Sequence, residues 1–239
     1  MSATFRASLV ALQRAQKTSK GAPAYSRLVN RPLGRVFAAF AHVLGATPNM
    51  VTVVSAMFSF TGIALIATAR STPLVSLTVT VLLVVGYALD AADGQLARLR
   101  GGGSVAGEWL DHVVDAIKIS FLHTSVMINW YRFEDASDRR LAIPIAYQVV
   151  ASIVFFVIIL NDHIRRAHRG TTAAIMKGDG SSSTLYSIAV MPTDYGLMCL
   201  VLGLMWWSGF VWVYGLLLAA NAAFLVLALG KWYREMRRY

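Results

Sequence analysis

Six runs of mostly apolar residues constrain this chain more than any other feature. They cover about 49–69, 74–97, 105–130, 141–162, 185–207 and 210–230. A helix needs roughly 20 apolar residues to cross a bilayer, and each run is of that order. Composition agrees, with 56% hydrophobic residues and only 14% charged. A soluble domain carries about a quarter charged residues, so lipid is the expected solvent. The expected fold is an all-α membrane protein, a single bundle of six transmembrane helices. Residues 48–230 form that bundle, preceded by a basic segment, 1–47, and followed by a basic tail, 231–239.

Six spans place both termini on one side, and the basic residues choose the side. Arg6, Arg14, Lys17, Lys20, Arg27, Arg31 and Arg35 precede the first span. Arg98, Arg100, Arg165, Arg166, Arg169, Lys177, Lys231, Arg234, Arg237 and Arg238 fall on the same side, giving 17. Only Arg70, Arg132, Arg139 and Arg140 fall on the other, and Lys118 lies inside a span. The positive-inside rule puts both termini in the cytoplasm. It also accounts for the net charge of +10 without a nucleic-acid partner. Cys199 is the only cysteine, so no intrachain disulfide can form. The one early apolar stretch, 9–12, is too short for a secretory signal.

Before the first span, Val29, Leu33, Val36, Phe37, Phe40 and Leu44 recur at helical spacing, with Arg27, Arg31 and Arg35 between them. That pattern predicts an amphipathic helix lying in the cytoplasmic interface. Residues 1–24 are polar, basic and weakly patterned, which predicts a mobile segment. Trp206, Trp207 and Trp212 suit an interfacial aromatic belt.

Four carboxylates sit where carboxylates are costly: Asp90, Asp93, Asp111 and Asp115. A charge deep in a membrane costs about 2.5–3.5 kcal/mol on insertion scales, so a functional role is the default reading. Asp90 and Asp93 are three apart, Asp111 and Asp115 four apart, so each pair shares a helix face. Gly101, Gly102 and Gly103 turn the chain between them, letting the pairs face each other. Such a cluster repels itself unless a cation neutralises it. Oxygen ligands suit Mg²⁺, Mn²⁺ or Ca²⁺ rather than zinc, and two metals sharing carboxylates would clamp phosphoryl oxygens. Pairing with Arg98, Arg100 or Lys118 is the alternative.

The run Asp90-Ala91-Ala92-Asp93-Gly94-Gln95-Leu96-Ala97-Arg98, followed after eight residues by Gly107, then Asp111 and Asp115, resembles the signature of the CDP-alcohol phosphotransferases at every fixed position. Thr47-Pro48-Asn49-Met50-Val51-Thr52 resembles the stretch that opens the family's first span. It also reads as a helix start, with Thr47 as cap and Pro48 in the first turn.

The resemblance implies metal-dependent transfer of a substituted phosphate from a CDP-linked donor to an alcohol, releasing CMP, in phospholipid synthesis. It makes Asp90, Asp93, Asp111 and Asp115 the acids of a Mg²⁺ or Mn²⁺ site, and Asp115 also the general base. It assigns nucleotide contacts to Asn49, Thr52, Asp90, Gly94, Ala97, Arg98, Ser104 and Gly107. Gly94 and Gly107 can equally serve close helix packing, and Arg98 can be a membrane-edge anchor. The resemblance further implies a homodimer and a cytoplasm-facing site in the plasma membrane of a prokaryote.

The acceptor is less constrained. Lys118, Arg165 and Arg166 can bind an acceptor phosphate, while His112, in Gly107-Glu108-Trp109-Leu110-Asp111-His112, resembles the choline and ethanolamine phosphotransferases. CDP-diacylglycerol with a polyol or polyol phosphate is the favoured pair. A soluble CDP-alcohol with a lipid acceptor is the alternative, and a cation transporter is the non-enzyme alternative.

Overall fold

A computed structural model describes residues 4–14, 23–169, 187 and 190–239, and among these every regular element is helical. The helices are α1 (Phe5–Arg14), α2 (Arg31–Val43), α3 (Pro48–Thr68), α4 (Pro73–Leu99), α5 (Val105–Phe133), α6 (Asp138–Arg169), α7 (Tyr195–Leu202) and α8 (Phe210–Met236). A π-helical turn, Ser26–Asn30, leads into α2, and a 3₁₀ turn, Met191–Thr193, precedes α7.

Three successive long helices start the same way. Thr47, Thr72 and Ser104 leave helical geometry, and each side chain accepts a hydrogen bond from a first-turn amide. Pro48 and Pro73 follow directly, where a missing N–H costs nothing. The α4–α5 turn runs through Gly101 and Gly102 at φ of 95° and 134°, which side chains with a Cβ rarely adopt. Past this reversal the first turns of α5 bring Asp111 and Asp115 level with Asp90 of α4.

Among the described residues four helices are long and apolar enough to cross a membrane: Pro48–Thr68, Pro73–Leu99, Asp138–His168 and Phe210–Met236. The third expected span, α5, is 29 residues long but carries Glu108, Asp111, Asp115 and Lys118 on its first turns. The fifth expected span, 185–207, begins outside the described residues. Its described part is residue 187 and residues 190–207, which hold the 3₁₀ turn, the eight-residue α7 and the turns after it.

Close approach of α3 and α4 brings the site together. A Cβ at Gly86 would lie 2.4 Å from Ser59 Oγ and 3.2 Å from the Ser55 carbonyl. Ser55 Oγ donates to the Gly86 carbonyl at 2.8 Å. Small residues allow such contact between membrane helices. Two turns further along both helices, on the same faces, lie Thr52 and Asp93. The main apolar core fills the other half of the bundle, around Ile66, Leu83, Leu122, Val126, Trp130, Leu202 and Phe210. His123 Nδ1 lies 2.6 Å from Tyr214 Oη there, and Asn129 donates to the Ile66 and Ala69 carbonyls at the far end of α3.

Helix α2 packs its small residues inward. A Cβ at Gly34 would lie 2.9 Å from Ala91 Cβ and from Gln95 Nε2, so α2 backs directly onto the acid-bearing end of α4. Leu33, Val36 and Phe40 remain exposed on the opposite, outward face of α2. The expectation of mobility for residues 1–24 is corrected over 5–14, which form α1. Leu12 is fully buried, Ser8 Oγ lies 2.8 Å from His42 Nδ1, and Phe5 packs edge-on against Phe40 at 5.2 Å. Phe5, Ser8, Leu9 and Leu12 form a helical stripe short enough to pass unnoticed among basic neighbours.

Candidate active site

The last turns of α4 carry Asp90 and Asp93, and the first turns of α5 carry Asp111 and Asp115. One carboxylate oxygen from each of Asp90, Asp111 and Asp115 lies within 4.8 Å of the others. Asp93, 7% exposed, turns to α3, where its Oδ2 is 2.5 Å from Thr52 Oγ1. Between the pairs stands Lys118, whose Nζ is 2.5 Å from Asp90 Oδ1 and 3.0 Å from Asp115 Oδ1. It lies one turn beyond Asp115, so it meets that residue by helical spacing and Asp90 across the helix pair.

The residues expected to contact a nucleotide gather at the same end. A Cβ at Gly107 would lie 3.0 Å from the Asn49 carboxamide oxygen and 3.1 Å from Ser104 Oγ, so the starts of α3 and α5 meet there. Ser104 caps α5 by accepting from the Gly107 amide at 3.0 Å. A Cβ at Gly94 would sit 3.4 Å from Arg98 Nη1, leaving a flat patch of backbone beneath the guanidinium. Ala97 is half-buried on the same turn.

The groups considered for an acceptor are engaged by carboxylates. Arg165 makes a fork with Glu235 of α8, both contacts at 2.8 Å. Arg166 meets Glu108 at 2.5 Å and also pairs with Asp162. His112 lies 3.7 Å from Glu108 and its ring packs edge-on toward His163 at 6.2 Å. Glu108, His112, Asp162, His163 and Arg166 thus form a polar wall between α5 and α6, next to Asp111.

One buried acid was not anticipated. Asp194 caps α7, accepting from the Gly196 amide at 2.8 Å and from the Ser26 amide at 2.8 Å. Tyr87, one turn before Asp90, reaches it at 3.5 Å. Tyr25 stacks on Tyr87 at 6.4 Å, and its ring would be struck by any Cβ at Gly196, 2.0 Å away. The clamp ties the segment before α2 to α7 and to the turn of α4 that carries Asp90. The cost of an acid in an apolar run, which singled out the other four, applies equally to this one. Asp194→Ala is expected to destabilise the protein by about 1.5–3 kcal/mol, the range for hydrogen bonds to a charged group. Asp194→Asn, which keeps an acceptor, should lose less. Thermal unfolding in detergent reads both, and an unchanged midpoint in the alanine variant would dismiss the clamp.

A helical bundle with four membrane-length apolar helices among its described residues, and an acidic cluster between α4 and α5, defines an integral membrane protein with a cation-competent site. The chain belongs to the CDP-alcohol phosphatidyltransferase family, whose sequence profile matches residues 45–230. Membership makes it a CMP-forming phosphotransferase of phospholipid synthesis. No curated protein matches the chain. Among solved structures it resembles the Mycobacterium tuberculosis phosphatidylinositol phosphate synthase (PgsA1) with CDP-DAG bound. That likeness has a TM-score of 0.53 and 18% identity, covering 86% of this chain and 94% of the other, and is one of fold.

Proposed function

We propose that the chain transfers a phosphatidyl group from CDP-diacylglycerol to the hydroxyl of a polyol or polyol phosphate, releasing CMP on the cytoplasmic side of the membrane. The observation that carries this reading is the meeting of Asp90, Asp111 and Asp115 where the last turns of α4 face the first turns of α5. The donor set fits a divalent cation: three hard carboxylate oxygens within 4.8 Å, with no sulfur or imidazole among them. Bound there, Mg²⁺ or Mn²⁺ supplies a positive charge against the donor's phosphoryl oxygens.

The protein's own residues do the rest. Asn49, Ser104 and Gly107 make the floor on which the cytidine lies, since the small residue admits a flat ring to the backbone. Arg98 holds the diphosphate by charge-assisted hydrogen bonds. Asp93, held by Thr52, fixes the α3–α4 wall of that floor. Asp115 Oδ accepts the proton of the attacking hydroxyl and orients it in line with the bond to CMP. An apolar groove of about 260 Å³ lies between α3 and α5, lined by Phe60, Ile63, Ile117 and Phe121. It suits a substrate that carries acyl chains. In this reading the chain crosses the membrane six times and both termini are cytoplasmic.

The test is CMP release from purified protein in detergent with Mg²⁺ or Mn²⁺. CDP-diacylglycerol is offered with inositol, glycerol, inositol phosphate, glycerol phosphate or serine, and CDP-choline or CDP-glycerol is offered with diacylglycerol. Turnover with the first donor and a polyol or its phosphate is the expected result. Turnover only with a soluble CDP-alcohol would reverse which substrate bears the lipid.

A further inference from the structure

The placement of Lys118 has a consequence beyond an ion pair. Its side chain is only 5% exposed, on α5 in the middle of the acidic cluster. Lysine is almost never this buried unless its charge is matched. Here it is matched by Asp90 at 2.5 Å and Asp115 at 3.0 Å, two of the three acids whose oxygens converge. We propose that the Lys118 ammonium is a resident counter-ion that competes with the divalent cation for Asp90 and Asp115, so that this lysine sets how tightly and how reversibly the site takes metal. The proposal rests on the metal reading given above.

The geometry makes the two cations rivals. A small divalent ion binds carboxylate oxygens at about 2.0–2.2 Å, and the oxygens it needs are those on which the ammonium already sits. Shared at those distances, the two positive centres would repel strongly in a buried site. Entry of the ion must therefore loosen the lysine's contacts, and exit of the ion lets them re-form. The four-carbon stem permits that movement, as an ammonium is a point charge on a flexible arm. Without this internal cation, Asp90 and Asp115 would stand unneutralised whenever the metal left, at the cost that attends buried, unpaired charge. The lysine thus keeps the cluster assembled while lowering its grip on metal.

A purely structural ion pair predicts the opposite sign. If Lys118 only holds Asp90 and Asp115 in place, its loss disorders the ligands and weakens metal binding. If it competes, its loss strengthens binding. The experiment measures Mn²⁺ affinity from the paramagnetic resonance signal of the free ion, which is independent of turnover. Wild type, Lys118→Met, Lys118→Gln and Lys118→Arg are purified in detergent with Mn²⁺ and then stripped with chelator.

The neutral variants are expected to bind Mn²⁺ roughly tenfold more tightly or better, the repulsion having been removed. Lys118→Gln retains amide donors for the two aspartates, which keeps the test open should the methionine variant not fold. Lys118→Arg, with its charge intact, should stay near wild type. The gap between metal-free and metal-loaded thermal midpoints should widen in both neutral variants. Unchanged or weaker Mn²⁺ binding in both, with wild type binding normally, overturns this proposal alone. Absence of Mn²⁺ binding in wild type overturns the metal reading together with it.

Discussion

Asp115→Asn is expected to lower CMP formation by about 10²- to 10⁴-fold, the range associated with loss of a positioned proton acceptor. The substitution is isosteric, so it changes charge and basicity without altering volume. An amide cannot take the hydroxyl proton, and it replaces one of three converging carboxylates with a neutral oxygen. The fold should survive. Lys118 retains Asp90 at 2.5 Å, and removing one negative charge from a cluster of like charges relieves repulsion. The measurement is CMP release beside a size-exclusion profile of the same preparation. An unchanged rate in a folded variant would remove Asp115 from the chemistry.

Asp111→Asn should fail differently. It removes one hard anionic ligand from the triad, and Mn²⁺ affinity is expected to fall by about 100-fold. Losses of roughly 10–100-fold accompany even the removal of residues that merely support a metal ligand. Because Asp115 is intact, the proton acceptor remains. Raising Mn²⁺ should therefore restore much of the CMP-forming rate in Asp111→Asn and little in Asp115→Asn. That contrast separates holding a cation from accepting a proton. Equal behaviour of the two variants across a Mn²⁺ titration would show that the acids do not divide the work in this way.

Much of this site was legible in the sequence because its logic is local. Spacings of three and four put Asp90 with Asp93, and Asp111 with Asp115, on single helix faces. Gly101 and Gly102 reverse the chain between them with positive φ angles. Side-chain capping by Thr47, Thr72 and Ser104 follows from residue type at a helix start. What escaped depends on contacts distant in sequence. Nothing local says that Asp93 turns to Thr52 of α3 while Asp90 joins the α5 acids. The i, i+3 partner of Lys118 was readable in Asp115, but its shorter contact, to Asp90, crosses from α5 to α4. Helix α1 was missed because Leu12 is core only once α2 is present to cover it. Asp194 stood in an apolar run, yet its partners Ser26 and Tyr87 lie 168 and 107 residues away. Arg165 and Arg166 likewise meet carboxylates from other helices, Glu235 of α8 and Glu108 of α5.

On the function proposed, the α4–α5 acids hold the divalent cation on which transfer from a CDP-linked lipid depends. The most direct test is CMP released from CDP-diacylglycerol by the purified chain, supplied with its acceptor, first under chelation and then as Mn²⁺ is returned stepwise. No release under chelation, and recovery that saturates with Mn²⁺, is the expected result. CMP release that continues undiminished in chelator, or a chain that binds no CDP-linked nucleotide at any Mn²⁺ concentration, would contradict it.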